Sequence, residues 1–137
     1  MKTPKYVVEP KEKEAFTAQF DGFYTKFARA YDWAVKVLPF WKRWLRATLP
    51  HVVGPKVLEV SFGTGYLLTQ LAEKYETHGL EYNQRFVDMI GEKLEQNGLS
   101  ADVRQGTVEA LPYEDNTFDT IVNTMAFTAY PDGKKAM

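Results

Sequence analysis

The chain has 137 residues, of which 45% are hydrophobic and 26% are charged, and its net charge is −1. This size and composition predict one globular domain with a sizeable core, and the charge gives no electrostatic basis for binding nucleic acid. The chain has no cysteine and two histidines, His51 and His78, so it offers no disulfide framework and we expect no metal site. With no signal-peptide core and no apolar run of membrane-spanning length, the sequence predicts a cytoplasmic protein without an integral membrane segment.

The first third of the chain is predicted to form helices. Residues 1–14 are polar, with two prolines, and are expected to be a flexible arm. Residues 15–53 are expected to form a helical cap, in which aromatic and apolar residues recur at helical spacing from Phe16 to Leu38 and a second helix ends near Pro50. We interpret this aromatic stripe as core packing.

The second of these helices has an unusual composition. Residues 41–46 alternate tryptophans with bases, which is compatible with binding to a membrane surface or to nucleic acid. The favoured interpretation is a helix that docks Trp41 and Trp44 on the sheet and leaves its bases in water.

From residue 54 to residue 137 strands alternate with helices. Strands are predicted at 57–61, 76–81, 101–105 and 118–123, with helices at about 65–75 and 83–96. Asn83 is expected to cap the second of these helices, and Asp119 to cap a strand end or a loop. This alternation predicts an α/β sandwich of three layers, with a mostly parallel sheet and helices on both faces.

The turn after the first strand carries the strongest functional signal. Val57 to Gly65 read as a strand, a tight turn with two glycines and the start of a helix, which together form a binding site for a nucleotide-like ligand. Dinucleotide folds place their carboxylate about 20 residues later and need none before the turn. Glu59, inside the strand, therefore suits a ligand with a cationic ammonium group beside its nucleoside.

This segment resembles the first motif of the class I, Rossmann-like S-adenosylmethionine-dependent methyltransferases, in which an acid precedes Gly-x-Gly. The sequence departs from the motif at Ser61 and Phe62, where small residues are usual. The resemblance implies a sheet of about four strands in the order 3-2-1-4. It also implies that Phe62 either turns its ring away from the ligand or walls the pocket.

Three later segments extend the resemblance. In residues 79–83, Glu81 matches the acid that binds the ribose hydroxyls and Tyr82 the residue that packs on the adenine. In residues 105–112, Thr107 stands where the family has an acid that contacts the adenine amino group, and Val108 is expected against the adenine face.

The fourth segment, residues 113–122, is similar to the family's Phe-x-Asp-x-Ser-Phe-Asp motif, and it implies that Asn123 and Met125 lie next to the methionine part of the ligand. Tyr24 and Tyr31 resemble the tyrosines of the ubiquinone/menaquinone-biosynthesis-like subgroup (methyltransferase type 11), whose amino-terminal helices cover the cofactor.

The resemblance thus implies a methyltransferase that uses S-adenosylmethionine, releases S-adenosylhomocysteine and methylates an unidentified small molecule. No catalytic residue can be assigned. The implied cofactor-binding residues are Tyr24, Tyr31, Glu59, Ser61, Phe62, Gly63, Gly65, Glu81, Tyr82, Thr107, Val108, Asn123 and Met125.

The residues leave two alternative functions open. The first is a non-catalytic module or fragment that binds S-adenosylmethionine or S-adenosylhomocysteine. The second is a nucleotide-dependent oxidoreductase, which is disfavoured because Leu68 stands where that fingerprint has a third small residue and because Glu59 has no role in it.

The sequence ends shortly after the fourth predicted strand, so the core from residue 54 is expected to be incomplete at its carboxyl end. The segment 120–127 is apolar and would leave an exposed sheet edge. We therefore expect a homodimer, formed through this edge or by exchange of an element between copies.

Overall fold

The computed structural model describes residues 10–37, 39–124, 126 and 130–137, without the side chains of residues 10–12, 20, 24, 31, 32, 34–37 and 39. The helices are α1 (Pro10–Val37), α2 (Pro39–Arg46), α3 (Tyr66–Ala72), α4 (Gln84–Gln96) and α5 (Gly133–Ala136). The strands are β1 (Lys56–Val60), β2 (Glu76–Glu81), β3 (Asp102–Gln105) and β4 (Thr120–Asn123). A short 3-10 turn, Leu49–His51, precedes β1.

The four strands form one parallel sheet in the order β3-β2-β1-β4, which confirms the expected Rossmann-like topology. Val60 of β1 lies between Leu80 of β2 and Asn123 of β4. The carboxyl ends of these strands therefore meet at one edge of the sheet, which is where open α/β sheets bind their ligands.

Two helices bury apolar faces that follow the 3.6-residue repeat. Leu68 of α3 packs in one cluster with Phe86, Ile90 and Leu94, which are the buried residues of α4. Leu71 of α3 belongs to a second cluster, built around β1 and β4. These two clusters fix α3 and α4 against the sheet, so the turn that precedes each helix is held at the carboxyl edge.

Two predicted caps are confirmed. The Asn83 side-chain oxygen accepts a hydrogen bond from the Arg85 backbone N–H at 2.9 Å, as expected of the N-cap residue of α4. The Asp119 carboxylate accepts one from the Lys56 backbone N–H at 2.8 Å, so it joins the loop before β4 to the start of β1.

The first helix begins at Pro10, so residues 10–14 are helical and do not belong to an arm. Proline is tolerated in the first helical turn, where its missing N–H would have no partner. The helix start is also held by Lys13, whose ammonium group lies 3.0 Å from the carboxylate of Asp132. The rest of the expected arm, residues 1–9, lies outside the described residues.

The interpretation of the amino-terminal aromatics as core is wrong for those that the structure describes. Phe16, Phe23 and Phe27 are 36%, 56% and 43% exposed. On α2, Trp44 is 59% exposed and does not dock on the sheet, whereas Leu45 is buried. The apolar face of α2 is wide, and only one side of it meets the rest of the molecule.

Candidate functional site

The turn between β1 and α3 has the backbone geometry of a tight ligand-binding loop. Ser61, Gly63 and Gly65 have φ angles of 53°, 53° and 73°, in the left-handed region. Such a φ is uncommon for a serine and is typical of functional turns. A Cβ at Gly65 would overlap the side chain of Ile90, whereas a Cβ at Gly63 would meet open space. Gly65 thus permits close packing below the loop, and Gly63 presents bare backbone above it.

The Glu81 carboxylate holds this loop in place. One of its oxygens accepts a hydrogen bond from the Gly63 N–H at 3.0 Å, and the other accepts one from the Asn83 N–H at 3.1 Å. Burial raises the pKa of Glu81, and these backbone bonds oppose that shift because they favour the carboxylate. Each oxygen keeps acceptor capacity for a further donor, such as a pair of ligand hydroxyls.

The Glu59 carboxyl lies deeper and is less well satisfied. Its exposure is 2%, and its Oε2 atom has no hydrogen-bond partner. Burial raises the pKa of Glu59 well above its ordinary range, and the negative charge of Glu81 raises it further. A buried carboxyl with an unsatisfied oxygen is costly to the fold, and a cationic or hydrogen-bonding ligand group would remove that cost.

A cavity of about 650 Å³ lies above these two carboxyls, a volume typical of small-molecule sites. Its floor is formed by the β1–α3 turn and the end of β2, and α1 and α2 close one side. The predicted residues that line it are Glu59, Ser61, Phe62, Gly63, Glu81, Tyr82, Thr107 and Val108.

The structure places the other predicted residues differently. Gly65 does not line the cavity, because Ile90 packs against it from below. Asn123 is exposed at the end of β4 and forms a hydrogen bond with Tyr130, which itself lines the cavity. Met125 and the side chains of Tyr24 and Tyr31 lie outside the described residues.

Phe62 is accommodated by turning its ring into the core. The residue is 6% exposed and belongs to the cluster that contains Leu68 and Phe86. A Cβ at Gly79 would come within 3.0 Å of the ring, so the glycine in β2 provides the space for it. Phe62 therefore supports the loop from beneath and forms part of the cavity floor.

Several residues of the site were missed by the sequence reasoning. Tyr130 lines the cavity, and its hydroxyl donates a hydrogen bond to the Ser61 hydroxyl at 2.9 Å. Lys13 on α1 forms ion pairs with Glu109 at 3.4 Å and with Asp132 at 3.0 Å, which joins three separate segments at the cavity rim. Charges in a terminus that reads as an arm gave no local signal for this contact.

The first helix is tied to the site at a second point. The Asn83 side-chain amide donates hydrogen bonds to the Thr25 hydroxyl at 2.9 Å and to the Asp21 carbonyl at 3.2 Å. Thr17 and Ala18 of the same helix line the cavity. The middle of α1 thus forms a wall of the site at the end of β2.

Within the described part of the chain, no group of three or more metal-ligating side chains comes together, and no helix is long and apolar enough to cross a membrane. The site is therefore defined by its two carboxyls, its glycine turn and the cavity above them.

A sequence profile described as a methyltransferase domain matches residues 57–137, which include the turn, both carboxyls and all four strands but for the first residue of β1. The chain belongs to this methyltransferase family. With the sheet order, this identifies a class I, Rossmann-like S-adenosylmethionine-dependent methyltransferase domain, so the cofactor implied by the sequence is that of its family.

Curated relatives agree with this assignment. The chain is 31% identical over 131 residues to a ubiquinone/menaquinone biosynthesis C-methyltransferase of Stenotrophomonas maltophilia, covering 88% of this chain and 50% of that protein. It is 30% identical over 96 residues to a phosphatidylethanolamine N-methyltransferase of Cereibacter sphaeroides, covering 67% and 47%. The chain spans about half the length of these relatives.

Solved structures share the fold. An S-adenosylmethionine-dependent methyltransferase from Thermotoga maritima superposes with a TM-score of 0.70 at 22% identity, covering 82% of this chain and 51% of that one. The cyclase SpnF superposes with a TM-score of 0.66 at 23% identity, covering 70% and 38%. At these identities the similarity is one of fold, and it does not specify the reaction.

Proposed function

We propose that the cavity binds S-adenosylmethionine and that the chain is the cofactor-binding portion of a methyltransferase acting on a small molecule. The observation that carries the proposal is the pair of buried carboxyls, Glu59 and Glu81, on either side of the glycine turn at the carboxyl edge of the sheet. A dinucleotide site needs only the second of these acids.

The proposal assigns the nucleoside end of the ligand to β2 and the loop after β3. Glu81 accepts hydrogen bonds from the two ribose hydroxyls, and Tyr82, which is 48% exposed, lies against the adenine. Val108 contacts the opposite face of the adenine. Thr107 is exposed and has no charge to offer the adenine amino group, so recognition there is weak.

The proposal assigns the amino-acid end of the ligand to β1 and to the segment after β4. Glu59 receives the ligand ammonium group, and the backbone of Ser61 and Gly63 lies along the ligand, because no Cβ intervenes at Gly63. The resemblance assigns Asn123 and Met125 to the methionine part of the ligand. Tyr24 and Tyr31 belong to the helix that covers the cofactor.

In this proposal the chain contributes positioning rather than acid–base chemistry. The bound sulfonium supplies an activated methyl carbon, which an acceptor attacks in line. Holding the two reactants at the right distance and angle can supply about 7–11 kcal/mol of the barrier reduction. The alternative is a domain that binds the cofactor without transferring the methyl group.

Calorimetry with S-adenosylhomocysteine tests the binding site. Glu81→Ala removes a charged acceptor and should weaken binding by about 1.5–3 kcal/mol, or roughly tenfold to a hundredfold. The matched control is Glu76→Ala, which removes an exposed carboxylate at the opposite end of the same strand and should leave affinity unchanged. Equal affinity of Glu81→Ala and the parent would refute the ribose assignment, and tighter binding of NAD than of S-adenosylhomocysteine would favour an oxidoreductase.

The proposal includes a cytoplasmic location and a homodimer through the sheet edge. β4 is an edge strand of the sheet, and its Ile121 side chain is 54% exposed, which favours pairing with a second copy. Sedimentation at micromolar concentration should give a dimer that Ile121→Lys dissociates, whereas Leu111→Lys, at another exposed apolar position, should not. A parent chain that sediments as a monomer would contradict the dimer.

A further inference from the structure

Four of the exposed aromatic side chains that the structure describes on the first two helices lie in two pairs. Phe23 and Phe27 lie one turn apart on α1, with ring centroids 4.9 Å apart, and Phe40 and Trp44 lie one turn apart on α2, with centroids 6.2 Å apart. All four are 43–59% exposed. The two helices contact each other and both line one side of the cavity, and we call their four paired, exposed rings the aromatic surface.

The same region carries a concentration of positive charge. Residues 26–56 contain seven lysines and arginines and a single acid, Asp32, although the whole chain has a net charge of −1. Lys26, Arg29, Arg43 and Arg46 are exposed. The rest of the chain is therefore acidic, and the bases are segregated with the exposed aromatics.

On α2 the two kinds of side chain occupy different faces. At 100° per residue, Phe40 and Trp44 lie 40° apart, Arg43 flanks Phe40 at 60°, and Lys42 and Arg46 lie at least 120° from both rings. A helix with tryptophan and phenylalanine on one face and lysine and arginine on the other is suited to the boundary between lipid headgroups and acyl chains. Tryptophan is enriched at that boundary.

We propose that the aromatic surface docks on an anionic lipid bilayer, with α2 in the headgroup region and the exposed bases Lys26, Arg29, Arg43 and Arg46 on lipid phosphates. A second copy of the chain fits this surface less well, because a two-fold contact would bring the bases of one copy against those of the other. An anionic leaflet instead attracts each lysine or arginine close to it.

Docking would also bring the candidate site to the membrane. Trp41 and Leu45 of α2 line the cavity, while Phe40 and Trp44 of the same helix are exposed. A short helix thus separates the cavity from the docking face, so docking would place the site within the width of one helix of the bilayer surface.

Vesicle binding tests this inference. The chain has three tryptophans, at positions 33, 41 and 44, so intrinsic fluorescence reports on α1 and α2 alone. Vesicles of phosphatidylcholine with an equal amount of phosphatidylglycerol should bind the chain and shift its emission to the blue. Vesicles of phosphatidylcholine alone should bind it weakly, and about 1 M salt should reverse the binding by screening the charges.

Matched variants separate the docking surface from a general charge effect. Arg43→Glu with Arg46→Glu should weaken binding to anionic vesicles at least about tenfold. The control pair is Lys74→Glu, after α3, with Arg85→Glu, on α4. It makes the same charge change at exposed positions and should weaken vesicle binding much less. Phe40→Ser, which removes an exposed ring and leaves the charge unchanged, should abolish the blue shift.

Circular dichroism checks that each variant is folded. If a variant does not fold, the salt and lipid dependence of vesicle binding by the parent chain still tests the inference. Equal binding to both vesicle types, no binding to either, or equal losses in the two charge-reversal pairs would overturn it. So would self-association through the aromatic surface, seen as a dimer that Phe40→Ser dissociates and that does not bind vesicles.

Discussion

Replacing Glu59 with glutamine is predicted to stabilise the chain and to weaken ligand binding at the same time. The carboxyl is 2% exposed, one of its oxygens has no hydrogen-bond partner, and the charge of Glu81 lies close by. An unsatisfied buried polar group costs roughly 1–3 kcal/mol, and a buried charge costs more. Glutamine has the same shape and no charge, so Glu59→Gln should raise the free energy of unfolding by about 1 kcal/mol at pH 8, or the Tm by about 3–6 °C.

The stabilisation should depend on pH with a definite sign. Burial raises the pKa of Glu59 in the folded chain, so the folded state keeps a proton that the unfolded chain releases above its ordinary pKa of about 4.3. Stability of the parent therefore falls as pH rises from that value to the folded-state pKa. Glu59→Gln removes this contribution, so its advantage should be small at pH 4 and full above the folded-state pKa.

Ligand binding should change in the opposite direction. A ligand ammonium group would lose a charge-assisted hydrogen bond, which is worth about 1.5–3 kcal/mol or roughly tenfold to a hundredfold in affinity. Thermal unfolding at several pH values and calorimetry with S-adenosylhomocysteine measure the two effects separately. Glu76→Gln, on the exposed end of β2, is the matched control. A less stable Glu59→Gln that binds S-adenosylhomocysteine as tightly as the parent would refute the reasoning.

Three further predictions concern the turn, the adenine and the first helix. Gly65→Ala should destabilise the chain by at least about 1–3 kcal/mol in urea unfolding, because Gly65 has a positive φ and its Cβ would overlap Ile90. Gly91→Ala, in α4 where a Cβ meets nothing, should stabilise it by about 0.5–1 kcal/mol, and the reverse order would contradict the geometry. An S-adenosylhomocysteine analogue without the adenine amino group should lose less than about 1.5 kcal/mol, because Thr107 offers at most one neutral hydrogen bond; a loss of several kcal/mol would show that another group reads it. Lys13→Met should speed amide hydrogen exchange in the first turns of α1 without changing β1, and unchanged exchange would show that its ion pairs do not hold the helix.

The features that the sequence predicted are those that depend on neighbouring residues. The glycine turn, the Asn83 cap and the alternation of strands and helices follow from local conformational preferences. Glu59 and Glu81 could be placed together because the carboxyl ends of adjacent parallel strands share an edge.

The features that the sequence analysis missed depend on residues that are far apart along the chain. Lys13 and Asp132 are 119 positions apart, and Tyr130 and Ser61 are 69 apart, so no local pattern links either pair. Helical spacing predicted the apolar faces of α1 and α2, but spacing does not say what covers a face. The exposure of Phe23 and Trp44 could therefore be learned only from the structure.

The Asn83 side chain uses both of its polar atoms, and this has a consequence for how the domain responds to its ligand. Its oxygen caps α4 directly after the strand that carries Glu81, while its nitrogen holds α1 through Asp21 and Thr25. Attachment of the first helix and the start of α4, directly after Glu81, therefore depend on one amide. In the proposed site this amide couples ligand binding beside Glu81 to the attachment of the helix, and thermodynamic reciprocity makes that coupling free energy equal in both directions.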